Sequence, residues 1–219
     1  ILVSGSVVVW MRILSTAQWL LDETGSAYLV GLIGVVQLIV QIPATLWAGT
    51  LADRVDRKRL ITVGHGITGI TLLSLGLLDS QGVLTPTMMY VAIAITAGAH
   101  MLASPARSTL VPIIVPKSKL LLAASTDTAS QNGAAIAGPL LFAIIAFQAN
   151  LTVIFILSGS IALVTALLPL CIRVIGKVRD SKDQELSQLQ QTLNGFSYIS
   201  VSYTHLRAHE TSLHLVCRL

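Results

Sequence analysis

The chain has 219 residues, of which 53% are hydrophobic and 11% charged, whereas an ordinary soluble domain carries about 25% charged residues. With a mean hydropathy of +0.78, that composition excludes a conventional soluble domain and describes a membrane protein. The formal net charge of +4 does not point to nucleic acid, because the basic residues are split among short loops without interleaved aromatic side chains.

Apolar runs of about 20 residues are long enough to cross a bilayer. They occur at 2–21, 27–48, 60–79, 86–104, 120–147 and 151–172. Continuous rather than alternating hydrophobicity predicts helices, since a bilayer leaves no partner for unpaired backbone groups. The first run has no basic start before it and no small-residue cleavage site after it, so it is not a signal peptide. It opens at Ile1 in mid-span, and the natural N-terminus is expected to lie upstream.

Span one contains Arg12 and Gln18, and span two contains Gln37 and Gln41. Between spans two and three lies "GTLADRVDRKRL" (49–60), with four basic and two acidic side chains. Basic residues recur between spans four and five (Arg107, Lys117, Lys119) and after span six (Arg173, Lys177, Arg179, Lys182). The alternate loops, 22–26, 79–86 and the turn near Asn150, hold no Lys or Arg. By the positive-inside rule the basic loops and both ends of this six-helix unit are cytoplasmic, in a cell (inner or plasma) membrane.

Span five reads "STDTASQNGAAIAGPLLFA" (125–143). An ionisable side chain at membrane depth costs several kcal/mol unless it is paired or faces water, which marks Asp127 and Arg12 as candidate coupling residues. Gln131, one turn after Asp127, extends the same polar stripe. Arg12, counted as the sole intramembrane cation, is the expected partner of Asp127. The competing reading is a polar residue hydrogen-bonded between helices. Gly138 and Pro139 read equally as a hinge or as ordinary helix packing. His65 and His100 read first as packed or interfacial side chains.

The loop pattern Gly49-x-Leu51-Ala52-Asp53-Arg54-x-x-Arg57-Lys58 resembles the loop signature of the major facilitator superfamily, with Asp56 where that family has its second Gly. The resemblance implies that Asp53, with Gly49, Leu51, Arg54, Arg57 and Lys58, forms a conformational latch between two six-helix halves; a merely topogenic basic loop is the alternative. "SPARSTLVPIIVP" (104–116) and "WLLDETGSAYLVGLIG" (19–34) resemble the exporter branch that includes siderophore and macrolide efflux proteins. Span five keeps the Gly-Pro of the antiporters' G-P-x-x-G-G but has Phe142-Ala143 for the glycine pair. Ala135 stands where that branch carries Arg, and span four has no intramembrane Arg.

Residues 173–200 resemble the central cytoplasmic loop, with an amphipathic pattern at Leu186, Leu189 and Leu193. The closing run "VSYTHLRAHETSLHLVCRL" (201–219) resembles a transposase sequencing adaptor read in frame and is expected to be non-native. Setting it aside removes His205, His209, His214 and Cys217 from consideration. Resequencing the source locus is expected to show an unrelated string after about Ser200; a genome encoding "SYTHLRAHET" there defeats the assignment.

The sequence carries no phosphate-binding loop, nucleophile elbow or cysteine pair with metal spacing, so neither an enzyme, a cofactor nor a metal is expected. The expected architecture is an all-α membrane protein: six transmembrane helices over 1–172 forming the N-terminal half of a major facilitator fold. The resemblance implies a transporter of a small molecule, coupled to protons, with a C-terminal six-helix half beyond this chain. An uptake symporter, a non-transporting six-span scaffold and a membrane enzyme remain the alternatives.

Overall fold

The computed structural model of the protein describes residues 2–171; the segments 173–200 and 201–219 lie outside the described residues. Six helices occupy the described chain: α1 (Leu2–Thr24), α2 (Ala27–Arg54), α3 (Arg57–Ser80), α4 (Pro86–Ile114), α5 (Leu120–Gln148) and α6 (Leu151–Leu167). Short 3-10 turns at Lys117–Lys119 and Leu168–Cys171 precede α5 and follow α6. The protein is thus an all-α membrane protein. Five helices, α2 to α6, are long and apolar enough to cross a membrane. The 23 residues of α1 suffice in length, but Arg12, Ser15, Thr16 and Gln18 interrupt its apolar run.

Local chemistry sets several helix ends. Gly25 follows α1 with φ +63°, and its N–H donates to the Leu21 carbonyl at 2.8 Å, the left-handed stop that glycine adopts without a Cβ penalty. Asp56 caps α3, its Oδ1 accepting from the Lys58 N–H at 3.0 Å. Its φ is −56°, so the residue standing at the family's glycine position needs no left-handed backbone and satisfies an orphan helix donor instead.

Two helices run well past the ends of their apolar runs. Expected spans end at 48 and 104, whereas α2 runs to Arg54 and α4 to Ile114. Hydropathy falls wherever polar residues enter a run, and a helix continues past that point whenever its backbone bonds remain paired. Arg107, read as a loop residue, is consequently borne on α4.

The helices pack through α3, whose most extensive contacts are with α6 and α4, while α1 packs on α5 and α6, and α2 on α4. Lipid is as apolar as leucine, so close approach at small residues supplies much of the association. At the α3–α6 crossing a Cβ on Gly69 would stand 3.0 Å from the Gly159 carbonyl oxygen, and one on Gly159 would stand 2.9 Å from the Leu73 nitrogen. Above this crossing Leu72, Leu75, Met89, Ile93 and Phe155 form the main core with Trp19 and Leu20 of α1. Large apolar side chains also face outward, among them Leu38, Ile70, Ile136 and Phe147, the surface expected of a lipid-bathed bundle.

Asp79, in the last turn of α3, fastens three helices at one end of the bundle. Trp19 Nε1–H of α1 donates to its Oδ1 at 2.7 Å, and the Thr152 hydroxyl of α6 donates to its Oδ2. Asp79→Ala would strand both donors, at about 1–3 kcal/mol each if they stay dry. A lowered thermal unfolding midpoint in detergent, with insertion unchanged, is the expected result; an unchanged midpoint would leave Asp79 a surface residue.

Candidate functional site

A cavity of about 400 Å³ opens between α1, α3, α4 and α5. Its walls come from four helices: Gly5, Val9, Trp10 and Ile13 on α1, His65 on α3, His100 and Arg107 on α4, and Gln131 and Asn132 on α5. Small residues let these side chains converge. Gly5 leaves room for the His65 imidazole, whose Cε1 lies 3.1 Å from where a Cβ would sit. Gly138 lets α5 meet α1, since a Cβ there would stand 2.6 Å from Trp10 Cβ. Pro139 follows inside α5, which runs unbroken from Leu120 to Gln148.

Arg12 lies behind the cavity wall with only 5% of its surface exposed. Its Nη1 donates to Thr96 Oγ1 at 3.0 Å. Thr96 in turn donates to the Ala92 carbonyl at 2.8 Å, which leaves its oxygen free to accept from the guanidinium. The Ser15 and Thr16 hydroxyls turn back to the Arg12 carbonyl at 3.1 and 2.9 Å. Arg12, Thr96, Thr68, His65 and His100 also line a smaller adjoining void.

Asp127 takes a different cation from the one expected. Arg107 Nη2 lies 3.3 Å from Asp127 Oδ1, both side chains about one-quarter exposed. This is a charge contact rather than an aligned hydrogen bond, because Oδ1 has no hydrogen-bond donor. The other oxygen accepts from Gln131 Nε2 at 3.1 Å. Arg12 holds Thr96 instead. Both members of the pair stand about 10 Å inside their helices, seven residues from the end of α4 and from the start of α5, at 1.5 Å per residue.

The remaining candidates fall elsewhere. Gln18 is exposed and donates to Asp22 Oδ1 at 2.8 Å along its own helix. Gln37 and Gln41, half-buried on α2, are not among the cavity's lining residues. In the basic loop Gly49, Asp53 and Arg54 are described as helical backbone only; Leu51 is exposed, and Arg57 and Lys58 are half-buried. The site residues that sequence reasoning missed are Arg107, placed in a loop, and Thr96, whose partner lies 84 positions away. The histidines read as packed or interfacial, His65 and His100, both reach the cavity.

Ionisable side chains gathered around a cavity inside an apolar helix bundle are the features that mark substrate and ion pathways in membrane proteins. Residues 2–210 match the family model described as the Major Facilitator Superfamily, and the chain belongs to that superfamily. It is also similar to a "Na(+), Li(+), K(+)/H(+) antiporter" of Planococcus maritimus, with 26% identity over 164 residues, covering 75% of this chain. The chain spans 38% of that relative's length.

Proposed function

We propose that this chain is the N-terminal six-helix half of a secondary transporter of the exporter branch, which exchanges protons for a small amphiphilic molecule by alternating access. A C-terminal six-helix half completes the substrate path, and the basic loops face the cytoplasm of the cell membrane. Residues 173–200 form the central loop between halves, and the run from Val201 is adaptor-derived. The observation that carries the reading is the Arg107–Asp127 pair held against the polar cavity. An ionisable pair inside a membrane bundle marks a substrate or ion pathway. The similarity to a cation/proton antiporter supports proton exchange. The loop motif around Asp53 and the apolar outer faces of α2 and α5 support a second half.

The test is accumulation of fluorescein, an amphiphilic organic anion, in cells carrying the complete gene. Reduced accumulation that a protonophore restores is the expected result. Raised accumulation favours an uptake symporter, and a level equal to that of the empty vector favours a scaffold.

A further inference from the structure

We infer that the cavity between α1, α3, α4 and α5 binds an organic anion, an apolar body carrying one carboxylate or similar group, with Arg12 and Arg107 as its electrostatic anchors. The inference rests on the reading of this cavity as the substrate route, and it deepens that reading by assigning the charge of the ligand.

One guanidinium, Arg107, lines the cavity and a second, Arg12, lies in the void adjoining it, against one carboxylate. That carboxylate, Asp127, is already engaged by Arg107 and Gln131. Arg12 is 5% exposed, and its only hydrogen-bonding side-chain partner among the described residues is the neutral Thr96. A buried cation without a counter-charge costs several kcal/mol, and a bound anion removes that cost. His65 and His100 line the same space and add donors, and positive charge when protonated, but no fixed negative charge. One net positive charge therefore remains before either imidazole takes a proton. Such a site repels alkali cations.

The walls describe the rest of the ligand. Trp10, Val9 and Ile13 of α1 supply an apolar wall, and Arg107 of α4 and Gln131 of α5 supply polar groups to the same cavity. A volume of about 400 Å³ falls at the small end of ligand pockets. An anion with an aromatic or short aliphatic body meets both surfaces at once. The same charge chemistry would accept the headgroup of an anionic lipid, so the experiment separates the two sources.

The probes are 4-nitrobenzoate, 4-nitrobenzamide and 4-nitrobenzylamine, titrated against the full-gene protein in phosphatidylcholine nanodiscs and followed by quenching of tryptophan fluorescence. The acid is expected to bind at least tenfold more tightly than the amide, with the amine weakest. Arg107→Gln and Arg12→Gln are each expected to cut the preference for the acid about tenfold, and Arg12→Lys to keep it. If Arg12→Gln fails to fold, Arg107→Gln, at a partly exposed position, decides. Acid and amide binding within twofold of one another, or a tighter amine, overturns the inference. Replacing a third of the lipid by phosphatidylglycerol is expected to leave acid binding unchanged; a tenfold weakening shows a headgroup in the site and overturns the assignment to a diffusible acid. Binding is read without a gradient, so a protein that binds the acid selectively but moves nothing refutes the transport reading alone.

Discussion

Asp127→Ala is expected to reduce transport by at least tenfold and to lower the amount of folded protein. The substitution leaves the Arg107 guanidinium facing the cavity without the carboxylate that stands 3.3 Å away, and it strips Gln131 of its acceptor. An unpaired charge at membrane depth costs more than the pair contributes. The double variant Arg107→Ala/Asp127→Ala is therefore expected to recover folded protein without recovering transport. A coupling energy of about 1–2 kcal/mol between the two sites suits a pair one-quarter exposed to solvent. Asp127→Asn keeps an acceptor for Gln131 but removes the charge opposite Arg107, so it separates the roles: normal folding with transport reduced at least tenfold is the expected result. A wild-type rate would make Asp127 a packing residue.

Asp53→Asn is expected to abolish most transport while leaving membrane insertion intact. Residue Asp53 belongs to the last turn of α2, and the family resemblance gives it a latch role between inward- and outward-facing states. Neutralising it changes the balance of two conformations and not the hydrophobicity of a span, and a shift of 1.4 kcal/mol in that balance is about tenfold. Asp56→Gly makes the control. It restores the family's usual loop residue but removes the cap that accepts from Lys58, a loss of a few tenths of a kcal/mol when glycine is the replacement, so transport is expected to stay near wild type. Wild-type transport in Asp53→Asn would leave the loop a topogenic role only.

The helices were legible in the sequence because bilayer thickness forces about 20 apolar residues per crossing, and each expected run coincides with one helix. Their ends were less legible. Nothing in the hydropathy of "SPARSTLVP" reveals that α4 continues to Ile114, and that error moved Arg107 into a loop. Arg12 then stood as the only intramembrane cation, and Asp127 was matched to it. The actual partner lies on the adjacent helix, within reach because α4 and α5 are joined by a short 3-10 turn. Asp79 was not singled out, for the opposite reason. A carboxylate in a stretch ending "DSQGVLTP" has the composition of a solvated turn, and only the packing of α1 and α6 against α3 shows that it accepts from Trp19 and Thr152. Of the polar residues singled out on α1, Arg12 is buried beside the cavity. Gln18, with the same hydropathy signal, bonds along its own helix, because sequence gives the depth of a residue more readily than its azimuth.

The central claim, that the cavity is a substrate route served by alternating access, is tested most directly by accessibility from the two sides of the membrane. A single cysteine at Gln131, exposed on the cavity wall, is introduced into a cysteine-free form of the full-gene protein. It is then challenged with a membrane-impermeant maleimide in right-side-out and inside-out vesicles. Labelling from both faces, with the ratio shifted by reversing the pH gradient, is the result the account predicts. Labelling from one face alone, whatever the gradient, contradicts it.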